Sequence, residues 1–533
     1  MSQLYLRRVV ALWFGAVFAL VGVPLWYKLT TIYRAPLPGT YISSLRENMH
    51  SDVHLVVPVY VRSDTYKFPD VHEAIQLQAD ALLQSKPRAV NWSLQILQAE
   101  KNQVLDPESD YVLTLTLDDF TGYSIAYDSK ETIVFFDDTA VVSNDIPFFA
   151  AQTLIEHTFG TEWTHLSLDS SDQNDQGNRG LGKSSEMAIS YAPKVHLSLS
   201  LLTGDGRPVA WNIESTLNQY FTPLRQFLSP LINFTVDTSI LHFNDLNLGS
   251  LHDIQDPSWQ DLAHSIDLSE LSSLNHYREK NAINLAIVFP SPEAGQLGFV
   301  NATEDRPWQS FMVPQWGALV VNKEALPDNS RLTQDYLAPV IYSFACELFQ
   351  FLGLSNEKAD LSTPYITIDS FKRVTTLKNL EHGIETMWSL IKLTDQFPQM
   401  AVPKQVLSDV EQAISLRLKA VELLNDPKRG DEATWNEALH LSNSFVEVCE
   451  RAFFHKEMVQ QNFFPQEHKI AVYLPFLGPI FVIILTGLLK TLRENNDDDE
   501  DEVEEKQVKI SDSPADETEQ LDEKTHDSSL TKE

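Results

Sequence analysis

Few residues in this sequence stand where their types and spacing could do chemistry. Gly177-Asn-Arg-Gly-Leu-Gly182-Lys183-Ser184 matches G-x-x-x-x-G-K-[ST], whose backbone amides and lysine can cradle phosphates. Such a loop must follow a buried strand and open a helix. Here a polar run precedes Gly177 and Pro193 stops any following helix early, so a surface loop is the better reading. Covalent catalysis by cysteine needs a thiolate beside a base. Cys346 falls in an apolar helical run, Tyr342-Ser-Phe-Ala-Cys-Glu-Leu-Phe349, where a buried structural thiol is expected. Cys449 and His455, six residues apart, lie about 240° apart around a helix and do not face each other. Glu156-His157 is a lone pair, neither H-E-x-x-H nor G-x-S-x-G occurs, and Asp118-Asp119 suits a solvated strand end. No catalytic set, cofactor cradle or metal-ligand set emerges. Asn91-Trp-Ser93, Asn233-Phe-Thr235 and Asn301-Ala-Thr303 are N-glycosylation sequons, as many as chance supplies in such a composition.

The elements that would carry these residues follow from periodicity. His54–Val61, Ser93–Leu97, Tyr111–Leu117, Tyr123–Tyr127 and Thr132–Phe136 have the β-branched, alternating pattern of strands, and Val71–Gln84 and Pro147–Phe159 that of helices. Lys194–Leu201, Leu285–Phe289 and Ala318–Val321 continue the strands. Helices interleaved with strands predict an α/β domain, a mixed sheet with flanking helices. From Leu332 strand signals cease, and 3.6-residue periodicity over Tyr336–Leu352, Phe371–Leu393, Lys404–Leu424 and Ala433–Phe454 predicts a helical subdomain. The 168–185 stretch is polar and rich in Gly, Ser, Asn and Asp, the composition of a loop.

Two uncharged stretches, Val9–Tyr27 and Ile470–Leu489, are each long enough for a transmembrane helix. For the first, a cleaved signal peptide is the alternative, but no small-x-small cleavage site follows it. Flanking basic residues hardly orient the first span, and Lys490 and Arg493 favour a cytosolic end after the second. Pro475 and Pro479 lie in the second span. They leave the carbonyls of Ala471 and Pro475 without helical donors, which suits a kink near the membrane surface or a face packed on other spans or lipid.

The chain has 533 residues and a net charge of −34, of which −13 falls in 494–533, leaving −21 for the rest. That excess of carboxylates excludes phosphate-backbone recognition, so no nucleic acid is expected as a partner. The acidic tail is too charged and too poor in apolar residues to fold. Two cysteines are too few for a disulfide scaffold and leave the redox compartment open.

Several stretches together carry a resemblance. Val23-Pro-Leu-Trp-Tyr-Lys-Leu-Thr-Thr-Ile-Tyr-Arg-Ala-Pro-Leu-Pro38, Asn233-Phe-Thr-Val-Asp-Thr-Ser-Ile-Leu241, Val313-Pro-Gln-Trp-Gly-Ala-Leu-Val-Val321, Ala452-Phe-Phe, Phe464-Pro465 and Lys469-Ile-Ala-Val-Tyr-Leu-Pro475 are similar to the PIG-S family, the S subunit of glycosylphosphatidylinositol (GPI) transamidase. The resemblance implies a noncatalytic subunit of a multi-subunit complex in the endoplasmic reticulum membrane. That complex cleaves the C-terminal signal of a precursor protein and joins the new carboxyl end to a preformed GPI lipid. It implies no cofactor. The implied partners are the catalytic K subunit, the T, U and GAA1-like subunits, and possible contacts with GPI lipid and precursor. It also places the large middle segment in the lumen and makes Asn233 the foremost sequon, ahead of Asn91 and Asn301.

The expected organisation is a short cytoplasmic N-terminus (1–8), transmembrane helix (9–27), lumenal α/β domain (28–331), lumenal helical subdomain (332–469), transmembrane helix (470–489) and acidic cytoplasmic tail (490–533). Phe464, Pro465, Tyr473, Pro475 and Pro479 are the expected subunit or lipid contacts. The alternative is an independent membrane-tethered enzyme, for example a glycan-modifying hydrolase, with a site assembled from residues distant in sequence.

Overall fold

The structure, a computed structural model, describes residues 3–22, 24–25, 28, 32–63, 70–85, 88, 90–99, 105–106, 108–119, 121–167, 191–229, 231–266, 281–300, 302–313, 316–352, 363–398, 400–426, 431–459, 475, 478–487 and 489–490. Two compact units result, one of Met1–Arg34, Phe397–Pro403 and Lys456–Glu533, the other of Ala35–Gln396 and Lys404–His455. Residues 177–184, Asn301, Phe464, Pro465, Tyr473 and the acidic tail lie outside the described residues.

In the first unit, helix α1 (Gln3–Val17) passes into a π-type turn at Phe18–Gly22. The apolar side chains of the helix and turn are largely exposed, Leu12 to 62%, Trp13 to 71% and Leu20 of the turn to 76%. Arg34 donates to the carbonyl of Pro398 (2.8 Å), and the amide of Val402 to that of Tyr33 (3.1 Å). Residues 478–487 are helical, with Pro479 exposed near the start, and Pro475 is likewise helical and exposed. Among the described residues no helix is long and apolar enough to cross a membrane.

The second unit opens with α2 (Gly39–Glu47) and β1 (His54–Ser63), on which Leu55, Val57, Val59 and Val61 alternate into the core. Helix α3 (Val71–Gln84) buries Val71, Ile75, Ala79 and Leu83, one stripe at four-residue spacing. Strands β2 (Asn91–Gln98), β3 (Val112–Leu117), β4 (Tyr123–Asp128) and β5 (Glu131–Phe136) complete a sheet of order β2-β1-β3-β5-β4, parallel except for β4. The Gln76 side chain of α3 accepts from Ile96 N (2.8 Å) and donates to Leu94 O (3.0 Å), covering part of the β2 edge with an amide. Helices α4 (Ile146–Gln152) and α5 (Gly160–Leu166) follow, joined by a π-type turn at Thr153–Thr158.

The chain then builds the same sheet again. Strands β6 (Lys194–Thr203), β7 (Asn233–His242), β8 (Ala282–Phe289), β9 (Trp308–Val313) and β10 (Gly317–Asn322) adopt the order β7-β6-β8-β10-β9, again parallel except for the fourth strand in the chain. Between β6 and β7 lies α6 (Thr222–Leu228). The first residue of each leading strand faces the first residue of each second strand, His54 opposite Asn91 and Lys194 opposite Asn233. Both second strands begin Asn-aromatic-hydroxyl, and both aromatics, Trp92 and Phe234, are fully buried. The expected single mixed sheet is therefore two sheets of one repeated strand order, and alternation alone could not assign strands between them. Both faces of the second sheet are covered, one by a cluster with α7 (Gln334–Phe351), the other by loop residues such as Leu246, Leu248 and Phe299.

Beyond α7 the described part of this unit is mainly three helices, α8 (Pro364–Gln396), α9 (Lys404–Asn425) and α10 (Glu432–Phe453). Gly383 of α8 faces Phe445 of α10, and a Cβ on Gly383 would meet the ring at 2.2 Å. Phe445 is itself fully buried, so the ring cannot retreat into solvent. Gly383→Ala should therefore lower stability by about 1–3 kcal/mol through overpacking. Gly383→Ala combined with Phe445→Leu should regain part of that loss. The check is the urea midpoint of the detergent-solubilised chain, and an unchanged midpoint for the single variant would refute the packing.

Candidate functional site

Among the described residues the structure brings neither of the two thiols to a base. Cys346 is exposed, against expectation, because Phe344 and Leu348 take the core-facing positions of α7 and turn it outward. Cys449 is buried on α10, and burial, aided by Glu450, pushes its thiol far above the ordinary range. Glu156 is exposed and accepts from Gln152 (2.8 Å), while Asp118 accepts from the amide of Asp119 (2.8 Å), so each serves its own turn. Among the described residues no group of three His, Cys, Asp or Glu could hold a metal ion. Asn91 and Asn233 are exposed at the amino-terminal starts of β2 and β7.

The densest chemistry is a cluster the sequence did not single out. One turn of α8 places Asp369, Ser370, Lys372 and Arg373, all buried, against the first sheet. Arg373 and Glu162 of α5 are both fully buried and pair as a fork: Nε donates to Oε1 and Oε2 at 2.9 and 3.1 Å, and a terminal nitrogen to Oε2 at 2.6 Å. Trp92 Nε1 donates to the same carboxylate at 3.0 Å. The other guanidinium nitrogen donates to the Tyr111 hydroxyl (2.9 Å), which donates to Asp369 (2.9 Å). Asp369 also holds Lys130 at 2.7 Å and Lys372 at 3.0 Å, and Glu432 closes the outer side at 3.6 and 3.1 Å from the two ammoniums. Three cations thus face three carboxylates. The Arg373 guanidinium also lies 5.3 Å from the Trp435 ring and 5.5 Å from that of Tyr111.

Electrostatics follow from burial and pairing. Burial opposes the charge of Arg373, but the Glu162 carboxylate outweighs it and holds the guanidinium above its ordinary value. Burial likewise opposes ionisation of Asp369, but Lys372, Lys130 and Arg373 prevail and keep its carboxyl below the ordinary range. The Tyr111 phenol is pushed well up by burial despite Arg373. Arg373, Asp369 and Tyr111 are therefore each held in one protonation state at neutral pH, which suits a weld between the first sheet, α8 and α10 more than an acid–base pair. A cleft of about 260 Å³ opens over Lys130, Lys372, Asp369 and Glu432.

A second cavity, about 490 Å³, lies at the carboxyl ends of β8 and β10, where open α/β sheets commonly take ligands. Phe289, Asn322, Lys323, Glu304, Arg331 and Tyr336 line it. Its buried polar groups satisfy one another: Tyr336 donates to Asn322 Oδ1 (2.5 Å), and Asn322 to Val288 O (3.2 Å). Arg331 is held by Asn212 at 2.8 and 3.0 Å.

Two measurements test the weld. Arg373→Met should cost roughly 3–5 kcal/mol because it strands the Glu162 carboxylate, and Arg373→Met with Glu162→Met should recover more than half of that loss. A double variant as unstable as the single one would contradict the pairing. Beside the weld, His165 lies edge-on to Phe371 at 6.4 Å. Burial, with help from Lys378, lowers its pKa to about 4 from 6.5. The unfolded chain then takes up a proton between about pH 6.5 and 4 that the folded chain refuses, so stability falls as pH falls through that window. Passing from pH 7 to 5 should cost about 2 kcal/mol, and His165→Phe should remove most of that slope.

Comparison with known proteins identifies the family. The model of the phosphatidylinositol-glycan biosynthesis class S protein (PIG-S) family matches residues 13–498. The chain is 54% identical over 508 residues to the GPI transamidase component GPI17 of Saccharomyces cerevisiae, covering 93% of this chain and 94% of that one. It is 24% identical to the GPI transamidase component PIG-S homolog of Schizosaccharomyces pombe, over 90% of this chain and 82% of the other. To the GPI-anchor transamidase component PIGS of Homo sapiens the identity is 24%, over 91% and 94%. With a family match from the first apolar stretch into the acidic tail, and 54% identity to one relative over 93% of its length, the chain belongs to the PIG-S family.

Proposed function

We propose that this chain is a noncatalytic structural and substrate-organising subunit of the GPI transamidase complex, which attaches preformed GPI anchors to the C-termini of precursor proteins in the endoplasmic reticulum. The observation that carries the reading is 54% identity along 94% of a protein named as a component of GPI transamidase. A chain-length match of that kind favours a subunit over an independent hydrolase. The buried, hard-to-ionise thiol of Cys449 and the charges spent inside the weld fit a body that acts by contact.

The catalytic K subunit and the T, U and GAA1-like subunits are its partners in this reading, with GPI lipid and precursor nearby. Transmembrane helices at 9–27 and 470–489 hold it in the membrane, supported by the exposed apolar side chains of α1 and by Ile483, 66% exposed. The α/β and helical parts, 28–331 and 332–469, then lie in the lumen, and both termini in the cytosol. Asn233, Asn91 and Asn301 are the glycan acceptors, and Phe464, Pro465, Tyr473, Pro475 and Pro479 contact subunits or lipid near the second span. Membrane confinement raises effective concentration, so several modest contacts suffice to hold such an assembly.

Mass shifts on glycosidase treatment test the topology. Asn233→Gln should remove one shift and Asn91→Gln another, and a chain with no glycosidase-sensitive mass would overturn the lumenal placement. Affinity purification of the tagged full chain from membranes should recover the K and T subunits together, and a chain recovered alone would overturn the subunit reading.

A further inference from the structure

At the carboxyl edge of the second sheet one side chain is presented in an unusual way. Phe243, directly after β7, has φ +58° and is 80% exposed. A left-handed backbone is unfavourable for any residue with a Cβ, and a bulky aromatic there is an outlier. The surrounding loop enforces it. Asp245 accepts from the amides of Asn247 (3.2 Å) and Ser291 (2.9 Å), and Leu246 is fully buried in the cluster under the sheet. The Phe243 amide donates to Asp205 O (3.3 Å), and the ring lies over Gly206, where a Cβ would come within 2.3 Å of it. The loop turns left-handed at Phe243, Leu246 and Asn247, and at Phe243 it leaves an aromatic ring out in water, a strained display of a kind that clusters at functional positions.

The charges around the ring say what it meets. Asp205, Asp245, Glu293, Glu304, Glu324 and Asp328 stand along this edge and, among the described residues, outnumber Arg207, Lys323 and Arg331; Arg207 lies 3.0 Å from Asp205 and 2.9 Å from Asp328. Such a rim repels anionic lipid headgroups and complements lysine and arginine. Asn233 stands at the opposite, amino-terminal end of β7, a strand's length from Phe243. We infer that Phe243 is an anchor that inserts into an apolar pocket ringed by basic residues on another protein subunit. This rests on the subunit reading above and assigns it a docking residue.

The test uses the tagged full chain purified from membranes. Phe243→Gly relieves the left-handed strain, so it should leave the thermal midpoint unchanged or raised. It should also weaken subunit capture on the order of 30-fold, as loss of an interface anchor does. Gly206→Ala, which pushes the ring aside without removing it, should weaken capture as well. With benzoylphenylalanine placed at 243, illumination should give an adduct to a Lys- or Arg-flanked peptide of another subunit. Unchanged capture by Phe243→Gly while the unaltered chain recovers its subunits would overturn this inference alone. A fall in the midpoint in parallel with capture, or an adduct only to lipid or to the chain itself, would also overturn it. If the unaltered chain recovers no subunit, the subunit reading fails instead.

Discussion

A guanidinium removed wholly from water cannot be left without a counter-charge, and Arg373 is removed wholly. Its partner Glu162 lies 211 residues earlier in the chain and Tyr111 lies 262 earlier, so the pairing is possible only when the first sheet, α5 and the middle of α8 have come together. Asp369 extends the same condition to Lys130, and Glu432 extends it to α10. The weld is costly to form from solvated ions, and replacing it by apolar side chains need not weaken the fold. What it supplies is selectivity: any arrangement that separates these elements strands a charge inside.

This constraint explains how charge is used in the body. Arg417, 1% exposed, repeats the device by gripping Asp52 with two bonds of 2.8 Å. Buried cations in this chain hold elements in place, and the groups that remain outside are mostly carboxylates. A body with its ionisable interior committed and its surface acidic is suited to meeting basic partner surfaces. The repeated sheet adds an asymmetry, since the two second-strand asparagines stand at amino ends while the strained loop carrying Phe243 stands at a carboxyl end.

Much of the architecture was legible in the sequence wherever burial follows a simple period. Val71, Ile75, Ala79 and Leu83 mark α3 from end to end, and the alternation of Leu55 to Val61 marks β1. The start of α8, before Phe371, escaped because Ile366 to Ser370 are all buried and show no 3.6-residue period, and Asp369 and Ser370 among them look like a solvated face until their partners are known. Strand β7 escaped because it is an edge strand with Thr235, Asp237 and Ser239 on one face. The two-fold use of one strand order escaped because the halves share connectivity and little else beyond the Asn-aromatic-hydroxyl opening of β2 and β7. The weld was invisible because its members are hundreds of residues apart. The family, by contrast, was readable from short stretches spread from the first apolar segment to the last.

The central claim is that this chain contributes contact and no bond-making. It is tested most directly by incubating the purified full chain, free of other subunits, in detergent with a precursor protein carrying its C-terminal signal and with hydrazine as a small amine acceptor. The account predicts that mass spectrometry finds the precursor intact at every chain concentration. Signal release or hydrazide formation that rises in proportion to the chain would contradict it.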